Sequence, residues 1–169
     1  MKKTIITCAV AVTLLISCGD NKKSSSDTVT SKETTSITDD ESEDKSATFK
    51  VDGTEFKGRV STQHFAGEAG NFSVLCQQNE PLVLLQAVFA NEKEATANAT
   101  YKPAGSFYNV SAGDVNIALS GSAVGDDRFN TSDESTGTIS VDGKKLILKD
   151  LKLLNSDKQE KVVNATIPF

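Results

Sequence analysis

Few side chains in this chain are of the types that most often carry out catalysis. The sequence contains one histidine, His64, and three cysteines, Cys8, Cys18 and Cys76. A zinc site needs several His or Cys ligands, and an α/β-hydrolase needs a Gly-x-Ser-x-Gly turn, which the sequence lacks. Phosphate-binding loops and dinucleotide fingerprints are also absent from it. We therefore expect a protein that is not an enzyme and has no cofactor, with His64 as an incidental surface residue.

Carboxylates offer an alternative to that expectation. One polar stretch of the chain carries Asp126, Asp127, Asp133 and Glu134. Oxygen ligands suit Ca²⁺, but these four lack the spacing of the twelve-residue calcium-binding loop. Whether the acidic loop 126–134 binds a cation stays open. A hydrolase that uses two carboxylates from separate parts of the chain is the least favoured function.

The N-terminal residues have the features of an export signal. Two lysines provide positive charge, residues 5–16 form an uncharged apolar run, and the small residue Ser17 precedes Cys18. This order is that of a secretory signal, and the run is shorter than a membrane-spanning helix requires. We therefore expect residues 1–17 to be a signal peptide.

The motif Leu15-Ile16-Ser17-Cys18 also resembles the lipobox of bacterial lipoproteins. The resemblance implies that Cys18 is lipidated and becomes the N-terminus after cleavage, and several acyl chains on one residue anchor a protein durably. In many diderm bacteria an Asp directly after that cysteine favours the inner membrane, and here Gly19 has that position. The resemblance therefore implies an outer-membrane address in the cell envelope, with the periplasmic and the surface side both open.

Residues 18–47 have the composition of a tether. They are rich in Ser, Thr and acidic residues, and Val29 and Ile37 are their only large apolar side chains. Such a segment buries too little apolar surface to offset its conformational entropy, so we expect it to be disordered. Within it, Asp27-Thr28-Val29 resembles a short O-glycosylation motif of Bacteroidota, and the resemblance implies that Thr28 carries a glycan.

The remaining residues, 48–169, are about the size of one domain. The chain has a formal net charge of -5, whereas nucleic-acid-binding proteins carry a basic surface patch. We therefore expect no nucleic-acid partner. If Cys8 is removed and Cys18 is acylated, Cys76 is the only thiol of this domain, which excludes an intrachain disulfide. Cys76 alternates with apolar residues, so we expect it to be buried and structural.

Apolar residues recur at alternate positions through this domain, which indicates β-strands. Asp52-Gly53 and Asp142-Gly143 each lie between alternating apolar residues and predict hairpin turns. Residues 72–77 and 82–89 predict another strand pair, and the second of these strands has the pattern of a central one. One helical turn is predicted around residues 92–95.

The leucines near the C-terminus change their parity along the chain. Leu146 and Leu148 fall on even positions, whereas Leu151 and Leu153 fall on odd positions. An inserted residue would restore a common facing, so we expect a bulge near residues 149–150. Together these segments predict an all-β fold, an antiparallel sandwich or a partly closed barrel of about seven to eight strands.

Three aromatic residues, Tyr101, Phe107 and Tyr108, flank Pro103 and Gly105. Aromatic side chains on such a loop are typical of a contact surface, although the same residues could instead close one end of the core. We expect a binding or interaction module whose partner is a protein, a glycan or another envelope component. The alternative is a carrier of a small apolar ligand in the cavity of a barrel.

The chain as a whole is similar to the small, tethered, β-rich lipoproteins of Bacteroidota, many of which have no assigned function. In the domain the likeness rests on the string Phe-Lys-Val-Asp-Gly and on the hairpin Gly-Thr-Ile-Ser-Val-Asp-Gly. The resemblance implies a membrane-anchored protein and carries no catalytic residues over to this sequence.

Overall fold

The computed structural model of the protein describes residues 45–65, 70–125 and 127–169. The lipobox with Cys18, and Thr28, lie outside these residues, as do the predicted signal peptide and nearly all of the predicted tether. The folded domain begins before the predicted boundary at residue 48, because Ala47 already belongs to a strand and is buried.

The described residues form ten strands and one short helix, numbered here in chain order. The strands are β1 Ser46–Val51, β2 Thr54–His64, β3 Phe72–Gln78, β4 Val83–Phe89, β5 Ala99–Pro103, β6 Asp114–Ser120, β7 Phe129–Asn130, β8 Thr138–Asp142, β9 Lys145–Leu154 and β10 Glu160–Pro168. The helix α1, Glu92–Ala95, is the helical turn that the sequence predicted, and it lies between β4 and β5.

Nine of the strands close into a barrel. Hydrogen-bonded neighbours follow the order β10-β1-β2-β3-β4-β6-β5-β8-β9, and β9 pairs again with β10. The pairings within the described residues are antiparallel except that of β5 with β6. The short strand β7 pairs with both β6 and β9 and fills the wall between them. The all-β prediction is confirmed in its barrel form, the sandwich alternative is wrong, and the sequence pattern missed β5 and β7.

The inward-facing side chains of the strands form one continuous apolar cluster. Burying one such side chain contributes about 1.5–3 kcal/mol, so this cluster is the main source of stability. Its largest members are less than 2% exposed: Phe49, Val74, Leu85, Phe89, Ile117, Leu119, Ile139, Leu146, Leu148, Leu151, Leu153 and Ile167.

Small residues let β1, β2 and β3 approach each other closely on their inner face. Ala47 pairs with Gly58, and a Cβ atom on Gly58 would lie 2.8 Å from Cys76 Sγ. The Cys76 thiol is fully buried and donates to the carbonyl oxygen of Ala47 at 3.8 Å. Burial raises the pKa of Cys76 to about 11, so the thiol stays protonated at neutral pH. The prediction of a buried structural thiol is confirmed.

Both predicted hairpins are present, with one difference in position. Asp52 and Gly53, with φ angles of 48° and 84°, form the two-residue turn between β1 and β2. The second hairpin turns one residue later than predicted, at Gly143 and Lys144, with φ angles of 54° and 58°. Paired left-handed residues of this kind match the twist of the two strands that they connect.

The first hairpin is tied to β10 through the carboxylate of Asp52. Its oxygens accept hydrogen bonds from Lys161 Nζ at 2.8 Å and from the N–H of Val162 at 2.9 Å. Burial alone would raise the pKa of Asp52, but the two hydrogen bonds and the charge of Lys161 outweigh it and hold this pKa below its ordinary value.

The predicted bulge is present in β9. Lys149 and Asp150 together lie opposite a single residue of β10, Asn164. The N–H of Asp150 donates to Asn164 Oδ1 at 2.9 Å, and Asn164 Nδ2 donates back to Asp150 Oδ1 at 3.2 Å. Because the bulge inserts one residue, the leucines on both sides of it face the interior. This prediction is therefore confirmed.

The connections divide between the two ends of the barrel. Those between β1 and β2, β3 and β4, β6 and β7, and β9 and β10 lie at one end, which we name the distal end. Strand β1 runs toward the distal end, so the chain enters the barrel at Ser46 from the opposite direction.

Candidate binding surface

The three aromatic residues singled out in the sequence fall into two environments. Tyr101, in β5, is 5% exposed, and its ring packs edge-to-face on Phe89 with 5.4 Å between the ring centroids. Its hydroxyl donates a hydrogen bond to the carbonyl oxygen of Glu94 in α1. Burial, and then the charge of Glu94, raise the pKa of Tyr101. Tyr101 therefore closes the core, and its assignment to a contact surface was wrong.

Phe107 and Tyr108 lie on the outside of the barrel. Tyr108 is 79% exposed, and its ring stands edge-to-face against that of Phe107 at 5.3 Å. Phe107 also meets the ring of Phe65, with 5.9 Å between centroids, and the guanidinium of Arg128 lies 4.9 Å from its ring centre. We name Phe65, Phe107, Tyr108 and Arg128 the aromatic patch. It presents aromatic and cationic groups to solvent together.

The loop that carries the patch, residues 104–112, is packed against the outer wall of the barrel. Ser73, Val88 and Asn116 lie in register across β3, β4 and β6 and point outward, yet each is at most 1% exposed. Val110, from the loop, is also buried. Neither Val88 nor Val110 belongs to the interior cluster, so both are buried outside the barrel interior.

Hydrogen bonds fix the start of the same loop. The carbonyl oxygen of Ala104 accepts from the Thr131 hydroxyl at 2.7 Å and from Asn116 Nδ2 at 2.8 Å. The Thr131 oxygen in turn accepts from the N–H of Ile117 at 3.0 Å. The buried side chains of Thr131 and Asn116 thus hold the loop on β6, so the position of the patch is set before any ligand binds.

A polar cleft of about 480 Å³ opens beside the patch, at the distal end. Its walls come from the residues around β7 and from the connection between β9 and β10. Among the described residues, Leu154 is the only apolar side chain that lines it, and Arg128 belongs to both the cleft and the aromatic patch. The lining residues are Asp127, Arg128, Asn130, Thr131, Ser132, Leu154, Asn155, Ser156 and Lys158.

Asn155 builds one wall of this polar cleft. Its Oδ1 accepts from the N–H groups of Asp157 at 3.0 Å and Gln159 at 2.8 Å, which shapes the connection after β9. Its Nδ2 donates to Asp127 Oδ2 at 3.1 Å and to Gln159 Oε1 at 2.9 Å. Each polar atom of this buried amide is therefore satisfied within the protein, and the amide joins the two walls.

The guanidinium of Arg128 makes fewer hydrogen bonds within the described residues than the amide of Asn155 does. Its Nε donates to Asn130 Oδ1 at 3.0 Å, and no carboxylate in the part of the chain that the structure describes lies within ion-pair distance of it. Lys158, by contrast, pairs with Glu134 at 2.7 Å. The guanidinium therefore brings a positive charge and unused donors to the surface of an acidic protein.

The other residues with chemical potential are placed elsewhere or are used in the structure. His64 lies at the end of β2 away from the cleft, 3.4 Å from a Glu92 carboxylate oxygen, with its ring against Phe72. Among the described residues, no three His, Cys, Asp or Glu side chains are grouped as a metal ion requires. In the acidic loop, Asp127 and Glu134 are bonded to Asn155 and Lys158, and Asp126 lies outside the described residues.

A scan against protein-family models and searches of curated proteins and of solved structures found no match to this chain. Within residues 45–65, 70–125 and 127–169, no helix is long and apolar enough to cross a membrane.

Sequence reasoning found Phe107 and Tyr108 but missed Arg128 and Asn155. Arg128 is one of only two arginines in the chain, and its position beside a Phe in a polar stretch was the available signal. Nothing local marks Asn155, because its role depends on a contact with Asp127, 28 positions away.

Proposed function

We propose that the protein is a lipid-anchored, non-enzymatic binding module of the cell envelope that holds its ligand on the aromatic patch and the polar cleft. The observation that carries this proposal is the 79% exposure of Tyr108 on a loop that is packed from beneath. The exposed part of such a ring is available to a ligand, and tyrosine gives much contact area on binding at little entropic cost.

The firm placement of the loop supports a binding role. Binding costs free energy when it must order flexible side chains and loops, and a surface that is ordered in advance avoids that cost. Here the hydrogen bonds to Ala104 hold the start of the loop, and the ring of Phe107 contacts both Tyr108 and Arg128. The patch is thus prepared for a ligand.

The barrel favours an outer surface over the alternatives of a carrier and of strand addition. Large apolar side chains from the strands pack against one another in the interior, whereas a carrier would use such side chains to contact its ligand. A partner that adds a strand needs a free sheet edge, and the nine strands of the ring close on one another. Loops are then the natural place for recognition.

The position of the proposed anchor suits this arrangement. About 28 residues separate the proposed anchor at Cys18 from the start of the barrel. The chain enters the barrel from the direction opposite to the distal end, and the polar cleft opens at the distal end. The cleft therefore opens at the end of the barrel opposite to the one at which the chain enters.

The test uses the mature lipoprotein immobilised in detergent micelles and incubated with an extract of cell-envelope material. Retained carbohydrate and retained protein are both quantified. Tyr108→Ala should reduce the retained ligand at least tenfold, because it removes the main exposed contact. Leu82→Ala is the matched control, since Leu82 is, among the described residues, the other large exposed apolar side chain and lies on the connection between β3 and β4. Equal retention by both variants would refute the proposed surface.

The anchor is tested separately. Cys18→Ala should release the protein from the membrane to the soluble fraction without unfolding the domain, as judged by its circular dichroism. Persistence of the variant in the membrane fraction would contradict lipid anchoring through Cys18.

A further inference from the structure

The polar cleft is lined mainly by groups that can recognise hydroxyls. Asn130 contributes an amide, and Ser132 and Ser156 contribute hydroxyls, whereas the buried Thr131 hydroxyl is already bonded within the protein. Amides and hydroxyls both donate and accept hydrogen bonds, which is what a sugar hydroxyl requires of its partners. A volume of about 480 Å³ lies within the range of small-molecule sites.

Among the described residues that line the cleft, Arg128 is the one cation without a carboxylate partner. Lys158 is neutralised by Glu134 at 2.7 Å, and Asp127 is held by Asn155 through a hydrogen bond to its Oδ2. Arg128 has no described carboxylate partner. A guanidinium is planar, and its N–H groups match the two oxygens of a carboxylate.

The orientation of Arg128 is also set. Its Nε is used by Asn130 Oδ1 at 3.0 Å, and its guanidinium lies 4.9 Å from the ring centre of Phe107. These two contacts hold the group at the border between the aromatic patch and the cleft, so a ligand in the cleft meets donors that are already positioned.

We infer that the polar cleft binds a carboxylate-bearing sugar residue of an acidic glycan, with Arg128 receiving the carboxylate and the amide and hydroxyl side chains receiving the sugar hydroxyls. The neighbouring Tyr108 and Phe107 offer ring faces and edges for the next sugar of the chain. This inference rests on the proposed function and names the class of its ligand.

A glycan fits these walls better than a polypeptide does. Peptide-binding grooves take apolar anchor side chains in apolar pockets or add a strand to a sheet edge. Here Leu154 is the single apolar residue in the described part of the lining, and the strands of the ring are paired with each other.

The experiment measures binding of defined oligosaccharides to the mature lipoprotein in detergent micelles by calorimetry. The probes are oligogalacturonate and hyaluronan oligosaccharides, each compared with the same oligosaccharide after chemical reduction of its carboxylates to alcohols. Binding of at least one acidic probe is expected, with at least tenfold weaker binding of its reduced form. This comparison uses the wild-type chain and does not depend on how a variant folds.

Variants assign the effect to Arg128. Arg128→Gln should weaken binding of the acidic probe at least tenfold and leave binding of the reduced probe unaffected. The affinity of Arg128→Lys for the acidic probe should lie between those of wild type and Arg128→Gln, because lysine keeps the charge but lacks the paired N–H donors of the guanidinium. The control is Arg59→Gln, the same change at the second arginine of the chain, which lies on the outer face of β2. This variant should bind the acidic probe as wild type does.

The outcomes separate this inference from the proposed function. Equal binding of acidic and reduced probes, or binding that Arg128→Gln does not change, would overturn the role of the carboxylate. If the wild-type protein binds none of the acidic probes, the assignment of the ligand to the acidic glycans is overturned. In both cases the Tyr108→Ala retention experiment still decides on the proposed function independently.

Discussion

The barrel interior and the polar cleft meet at two consecutive residues of β9. The two regions differ in how far contacts within the protein satisfy their side chains. Leu153 points inward and is fully buried, whereas Leu154 points outward and lines the cleft. Interior side chains find their partners within the protein. In the cleft, Asn155 does so as well, but Arg128 has a single hydrogen bond. Stability therefore depends on the interior, and in our proposal recognition depends on polar groups of the cleft whose hydrogen-bonding capacity the protein leaves partly unused.

The largest difference between the two regions should appear at the leucine pair. Leu153→Ala should lower the free energy of unfolding by about 2–5 kcal/mol, because it removes a fully buried side chain and leaves a cavity. Leu154→Ala should cost less than about 1 kcal/mol, since that side chain is already partly in water. Urea unfolding of the two variants measures both values. Equal losses would mean that the facing of β9 is not the one described here.

A second stability test concerns the close approach of β1, β2 and β3. Gly58→Ala should cost about 1–3 kcal/mol, because the added Cβ would lie 2.8 Å from Cys76 Sγ and from the backbone of Gln77. Gly105→Ala is the control on the outer loop, where the nearest atom to a Cβ, Ser132 Cα, is 4.0 Å away. Its unfolding free energy should stay within about 0.5 kcal/mol of wild type. A Gly58→Ala variant as stable as wild type in urea would contradict this packing.

These local features were within reach of sequence reasoning because each depends on neighbours in the chain. The Asp52-Gly53 turn follows from two residues that tolerate a left-handed backbone, and the bulge at Lys149 and Asp150 follows from a change of leucine parity. Alternating apolar residues likewise indicated the buried position of Cys76.

The closure of the barrel and the cleft depend on long-range pairings that leave little local trace. Strand β7 has only two residues, and polar neighbours surround it. Strand β5 contains Pro103, which reads as a break, yet it lies between β6 and β8. Because β5 lies within the barrel wall, its residue Tyr101 is buried in the core. The hydrogen bond from the Thr131 hydroxyl to the carbonyl oxygen of Ala104 likewise joins residues 27 positions apart. Such contacts could not be deduced from spacing along the chain.

Asn155 and Arg128 should respond in opposite ways, although both line the cleft. Asn155→Ala should lower the free energy of unfolding by about 1–3 kcal/mol, because it leaves backbone N–H groups of the β9–β10 connection without their acceptor. Arg128→Gln should change it by less than about 0.5 kcal/mol while weakening ligand binding. Thermal unfolding and calorimetric binding of the two variants give this contrast. A strongly destabilised Arg128→Gln would make Arg128 a structural residue instead.

The smallest expected effect is the contribution of Asp52 to stability, and it depends on pH. Because the pKa of Asp52 is lowered in the folded protein, its stabilising effect is present above its ordinary value of 3.8 and is lost as the pH falls through the lowered value. Asp52→Asn should therefore be less stable than wild type at pH 6, by no more than about 1 kcal/mol since the ion pair is partly exposed. The difference should narrow in acid. A difference that is constant from pH 6 to pH 2 would contradict this linkage.

The most direct test of the binding surface uses the absence of tryptophan from the chain. Tyr108→Trp introduces a single fluorophore into the aromatic patch, and Leu82→Trp introduces one at the other exposed apolar site. On titration with the envelope fraction that wild type retains, the emission of the Tyr108→Trp variant should shift and saturate, and that of the Leu82→Trp variant should stay constant. An unchanged spectrum from the Tyr108→Trp variant, in a protein that still retains the ligand, would contradict the account.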